Sequence, residues 1–243
     1  MVDVCTVVRI PTNTPDSNPI IPTTIHSIVD AANVVWSQYG YVFTFDENVD
    51  YGTAHSTKVN RTPTTDAEWQ EYTTLTGAIS LLSNPAQDKA VVLFRGEPGM
   101  GWSWGPPYTH VSMPSSGNVY ILQHEMGHYF GLVHTMWFDS CADLTLANTD
   151  NDSGGMLPIP DDDITDTPSD PTPKCLATVS MDLCTATTAT INGVVFTPPL
   201  HNVMSYYWCT PQELSPDQRK AIRYNLQHGR EKIPIPHWSA TWP

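Results

Sequence analysis

His124-Glu125-Met126-Gly127-His128-Tyr129-Phe130-Gly131-Leu132-Val133-His134 is the stretch on which the reading of this chain turns. It has the form H-E-x-x-H-x-x-G-x-x-H. On a helix, residues four apart share a face, so His124 and His128 present both imidazoles in one direction. Two imidazoles so placed can grip one metal ion, and Glu125, beside the first, can act as general base on a water at that metal. Gly131 is the residue type that closes a helix with a left-handed turn. Such a turn lets the chain double back and offer His134 as a third nitrogen. Three protein nitrogens leave a fourth position open, the arrangement of a catalytic zinc site. The short H-E-x-x-H pattern alone arises by chance as a polar helix face. The longer pattern fixes five positions, and chance no longer accounts for it.

A second element lies far downstream, His201-Asn202-Val203-Met204-Ser205-Tyr206. A lone loop methionine is ordinarily core filler. After this helix, Met204 reads as the Met-turn of the metzincins, a hydrophobic floor beneath the metal. The spacing of the intervening residues narrows the resemblance. His134-Thr135 is followed by Cys141, then Asp166-Thr167-Pro168, Cys175 and Cys184. Next come Asn202-Val203-Met204-Ser205-Tyr206, Cys209 and the helix start Leu214-Ser215-Pro216. In that order the chain resembles the pappalysin family of metzincins from Val119 to Leu226.

The resemblance implies a zinc endopeptidase with zinc on His124, His128 and His134, Glu125 as the base, and Tyr206 binding zinc or steadying the oxyanion. It implies calcium near the acidic loop, with Asp163 and Asp166 as ligands. It implies cross-links from Cys141 to Cys184 and from Cys175 to Cys209, with Cys5 free. Sequence arithmetic by itself leaves all three pairings of those four cysteines open. It also implies that an edge strand carrying His110 and Val111 pairs with extended substrate. The segment after the Met-turn tyrosine, Tyr207-Trp208, is expected to wall the pocket for the residue following the cut. That segment carries no carboxylate, so apolar or aromatic side chains are expected there rather than Arg or Lys.

Composition bounds the partners. The 243 residues include 25 acidic and 11 basic side chains, for a net charge of −14. Without a Lys/Arg cluster, nucleic acid and anionic membrane are excluded as natural partners. No apolar run is long enough to span a bilayer. Of the five cysteines, four fall between 141 and 209 with no closed C-x-x-C cluster, so disulfides and an oxidising, secretory compartment are expected.

The remaining chain gives an α+β pattern. Strands are expected at Cys5–Ile10, Tyr41–Phe45, Ala90–Phe94 and Tyr108–Met113. Ile25, Ile28, Val29, Ala32, Val35, Trp36 and Tyr39 share one face of a helix over Thr24–Tyr39, with Gly40 as its stop. Thr65-Asp66-Ala67-Glu68 is a capping box ahead of a second helix, and Ser215-Pro216-Asp217-Gln218 opens a C-terminal one. Asn192-Gly193 marks a hairpin. Trp102 and Trp104 lie in a Gly/Pro-rich loop, where packing is the default role.

The expected architecture is a single metzincin-like domain over 1–243 with two unequal subdomains and a cleft between them. The upper one, 1–131, holds a twisted mixed sheet with backing helices and the zinc helix. The lower one, 132–243, is irregular, with the Met-turn and the C-terminal helix. The substrate is expected to be protein or peptide. Two other functions use the same motif: a zinc-binding recognition module that does not cut, and a zinc amidase acting on a non-peptide amide. The first is disfavoured because base, ligands and Tyr206 are all present; only a substrate screen separates the second.

Overall fold

The computed structural model describes residues 2–10, 20–53, 58–59, 63–83, 89–96, 101–103, 110–114, 119–136, 141, 164, 166–179 and 183–227. It has an α+β fold and divides into two compact units, Met1–Tyr129 and Phe130–Pro243.

The first unit is built on a mixed sheet. Strand β1 (Val2–Ile10) pairs in parallel with β2 (Phe43–Thr44), β3 (Tyr51–Thr53) and β4 (Ala90–Arg95). β4 continues in parallel to β6 (His110–Pro114), and β5 (Trp102–Ser103) closes the edge antiparallel to β6. The continuous apolar run of β4 is explained by its position, since every residue of that strand is buried. Val91 and Leu93 pack with Trp69, Tyr72, Leu75 and Ile79 of helix α2 (Asp66–Ser83). Its start carries the expected cap in modified form: Thr65 Oγ1 accepts from the Glu68 amide at 3.3 Å, while the Glu68 carboxylate reaches back to Thr64.

Helix α1 (Pro22–Trp36) buries six of the seven residues read from its periodicity; the seventh, Tyr39, lies beyond its end and is half-buried. A single 3₁₀ turn, Ser37–Tyr39, follows, and Gly40 ends it at φ +86°. Trp36 is fully buried, and its indole donates to the carbonyl of Gln123 at 3.1 Å. Gln123 returns a bond to the carbonyl of Ala31. Gln123 precedes His124, so these buried bonds fix helix α3 (Val119–Tyr129) against α1 at the metal motif itself. Leu122, Met126 and Tyr129 supply its buried stripe.

The second unit has little regular structure. Helix α4 (Thr172–Leu176), the hairpin β7 (Ala189–Ile191) and β8 (Val194–Phe196), and helix α5 (Pro216–Gln227) are its described elements. The hairpin turns on Asn192 at φ +50° and Gly193 at φ +83°, the two left-handed residues that an Asn-Gly turn supplies. α5 has both halves of a capping box: the Gln218 amide donates to Ser215 Oγ at 3.1 Å, and the Ser215 amide donates to Gln218 Oε1 at 3.0 Å.

The disulfide pairing departs from expectation. All four cysteines are bridged, but Cys141 joins Cys175 and Cys184 joins Cys209. The reason lies in α4. Its consecutive residues Cys175 and Leu176 enter two different small cores. Cys175 packs with Ile191, Val194, Phe196 and Cys141, whereas Leu176 packs with Ala189, Leu200, Tyr207 and Cys209. Each core therefore carries its own bridge. The closed loops span 34 and 25 residues, which corresponds to roughly 3–4 kcal/mol of loop-closure stabilisation apiece. The side chain of Cys5 lies outside the described residues.

Candidate metal centre

α3 sets His124 and His128 one turn apart, with ring centroids 4.9 Å from each other at 87°. The helix ends at Tyr129, and Gly131 takes φ +93°, the left-handed turn its residue type favours. His134 follows three residues later. One ligating nitrogen from each of His124, His128 and His134 lies within 4.8 Å of the others. Among the described residues this is the group of His, Cys, Asp or Glu side chains that can hold a metal ion. Three neutral imidazoles suit zinc, whose tetrahedral geometry needs nitrogens about 3.4 Å apart.

Glu125 points from the same helix into a dry environment and is only 5% exposed. Burial pushes its carboxyl up to about 8; the charge of Arg95 and the backbone amide of Ser103, which donates to the carboxylate, oppose that rise. Its second oxygen, Oε2, is buried without a hydrogen-bond partner among the described residues. A buried orphaned acceptor beside a histidine cluster fits a water or substrate group supplied at that place. Gly101 makes the approach of β5 possible. A Cβ there would lie 2.8 Å from both Cγ and Oε1 of Glu125.

Tyr206 reaches His134. Its hydroxyl is 2.8 Å from His134 Nε2, the rings are 4.7 Å apart, and its other face stacks on Trp208 at 6.2 Å. Behind it, Met204 is fully buried and its carbonyl accepts from the Thr135 amide at 3.2 Å. Asn202 shapes this turn: Oδ1 accepts from the Met204 amide at 2.9 Å, and its carbonyl accepts both from the amide and from Oγ of Ser205.

Other expected site residues fall elsewhere. Tyr207, expected as a pocket wall, is turned inward. It is 5% exposed in the core with Leu176, Leu200 and Cys209, and its hydroxyl donates to Asp170 Oδ1 at 2.6 Å. Trp208 at φ +56° alone remains half-buried beside Tyr206. His110 and Val111 are not on an edge. Both are buried, and β5 pairs outside β6 through Trp102↔Ser112 and Ser103↔Val111. Burial holds the His110 ring well below its usual range, at about 4. Asp166 accepts from the Asp217 amide at 2.9 Å, at the start of α5. Asp163 lies outside the described residues.

Two contributors, Asp170 and Arg95, were invisible in the sequence, whereas Trp102 takes the packing role expected of it. Asp170 is buried and accepts from Thr135, Tyr207 and the Thr172 amide. Arg95 is fully buried, with its guanidinium 3.7 Å over the ring of Trp102. Trp102 is packed edge-on against Trp69 and Tyr72, which anchors β5 beside Glu125. A single Arg ending an apolar strand gives no sequence signal of this role, nor does one Asp in a polar loop.

The chain matches no protein-family model and no curated protein. Among solved structures it is similar to metalloproteinase-II from Bacteroides fragilis, at 16% identity and a TM-score of 0.34. That match covers 55% of this chain and 43% of the other.

Proposed function

We propose that this chain is a zinc-dependent endopeptidase of the metzincin type, acting on extended protein substrates outside the cell. The observation that carries the reading is the convergence of three imidazole nitrogens from His124, His128 and His134. Held by these three residues, zinc would supply Lewis acidity toward a scissile carbonyl and would lower the pKa of a water toward about 7.

The chain's own groups do the rest. In its ionised form Glu125 takes the proton of the attacking water on Oε2, which has no partner among the described residues, and returns it to the leaving amine. Ser103 holds the other part of that carboxylate, so the base is oriented before substrate arrives. The Tyr206 hydroxyl, presented beside His134, donates to the oxyanion as it forms. β5 is the last strand in the order of the described sheet, and an extended peptide adds beside it as a further strand. The edge role is thus assigned to Trp102–Ser103 in place of His110 and Val111.

Two bridges in an irregular unit fit an oxidising compartment, hence secretion. No described helix is long and apolar enough to cross a membrane. The pappalysin resemblance remains the finer reading, and the observed disulfide pairing departs from the one it implies.

Glu125→Gln tests the mechanism. The variant is expected to keep zinc at wild-type occupancy and to lose about 10²–10⁴ in kcat. Near-normal peptide hydrolysis by the zinc-loaded variant refutes the assignment of Glu125.

A further inference from the structure

Asp170 bonds to the residues that follow His134 and Tyr206 in the chain. Thr135 donates from Oγ1 to Asp170 Oδ2 at 2.7 Å, and Tyr207 donates from its hydroxyl to Asp170 Oδ1 at 2.6 Å. The Thr172 amide adds a third bond to Oδ1 at 2.8 Å, fixing the carboxylate at the head of α4. Asp170 is 2% exposed. The circuit closes on the other side, where the Tyr206 hydroxyl meets His134 Nε2 at 2.8 Å. It is reinforced by the bond from the Thr135 amide to the Met204 carbonyl.

We propose that Asp170 is a positioning residue that sets His134 and Tyr206 against each other, so that metal affinity and turnover both depend on a carboxylate outside the reacting groups. The inference rests on the zinc endopeptidase reading. Hydrogen bonds to a buried carboxylate are short and about twice as strong as neutral ones. Two of them, aimed at adjacent residues of two segments, fix the separation of those segments more tightly than packing does. The two arms differ in consequence. The Thr135 arm governs where His134 points, and therefore how well three nitrogens share one ion. The Tyr207 arm governs where Tyr206 points, and therefore how well its hydroxyl meets the developing oxyanion.

Three variants separate these effects: Thr135→Val, Tyr207→Phe and Asp170→Asn. Zinc dissociation constants are measured by competition with a chromophoric chelator, kcat and KM on a fluorogenic peptide at full zinc occupancy, and Tm by calorimetry. Thr135→Val is expected to weaken zinc about tenfold, the lower end of what outer-shell changes cost at metal sites. Tyr207→Phe is expected to keep zinc within about twofold while kcat falls about tenfold at unchanged KM. Asp170→Asn is expected to show both losses. If Asp170→Asn does not fold, the two single-hydroxyl variants decide the question. Folded variants that lose only Tm, with wild-type zinc affinity and wild-type kcat, overturn the proposal. A wild-type chain that binds zinc but cleaves no peptide refutes the endopeptidase reading and leaves the zinc arm to decide this one. A wild-type chain that binds no zinc refutes both.

Discussion

Adding one methyl group at Gly101 should silence the site while leaving the fold and the metal in place. The Cβ of Gly101→Ala would fall 2.5 Å from Cγ2 of Ile121 and 2.8 Å from both Cγ and Oε1 of Glu125. Carbon atoms pack at about 3.5–4.0 Å, so the overlap is about an ångström on two side chains one turn apart on α3. Ile121 can yield by changing rotamer. Glu125 yields only by moving its carboxylate off the Ser103 amide, within a buried setting. Overpacking of this kind costs about 1–3 kcal/mol, and in a chain of this size that lowers Tm by several degrees. Turnover should suffer more, because displacing a reacting group by about 1 Å costs on the order of 10²-fold. The assay is hydrolysis of a fluorogenic peptide by zinc-loaded wild type and Gly101→Ala, with zinc content and Tm measured on the same samples. A stable variant at full zinc occupancy with wild-type kcat would show that β5 does not set the position of Glu125.

Three further outcomes follow from a buried histidine and from the two bridges. His110 stays neutral in the fold down to about pH 4, whereas in the unfolded chain it takes its proton near 6.5. Its contribution to stability is therefore complete above pH 6.5 and is lost as pH falls toward 4. That amounts to about 2 kcal/mol between pH 7 and pH 5. Urea unfolding at the two pH values should show a loss smaller by that amount in His110→Gln, and identical losses in both proteins would refute the linkage. Replacing the second bridge in Cys184→Ser/Cys209→Ser should cost roughly 3–4 kcal/mol and release a loop of 25 residues. Non-reducing peptide mapping of the wild type should recover Cys141 with Cys175, and a fragment joining Cys141 to Cys184 would contradict this pairing.

The parts legible in the sequence are those fixed by local physics. His124 and His128 share a face because of helical pitch, Gly131 turns because a left-handed φ suits glycine, and Ser215 with Gln218 caps a helix through its own backbone. β4 was legible because a strand covered on both faces is apolar along its run, here Ala90 to Phe94. What was not legible depends on long-range geometry. β5 is two residues long, too short to show a period, so the edge was assigned to its neighbour β6. Tyr207 and Trp208 are adjacent aromatics, and only the location of Asp170 decides that the first turns into the core. The cysteine pairing depended on which side of α4 each core lies, and a five-residue helix announces no such preference.

Gln218 ties two cooperative events into one. It is fully buried, its Oε1 accepts from the Ser215 amide and from Nδ2 of Asn202, and its Nε2 donates to Asn202 Oδ1 at 3.1 Å. The first turn of a helix is ordinarily among the places where a protein opens most readily. Here fraying of α5 would also release Asn202, whose Oδ1 holds the Met204 amide. The turn beneath Tyr206 and the start of the last helix thus melt together or not at all. The exchange rates of the Met204 and Gln218 amides report one opening free energy rather than two.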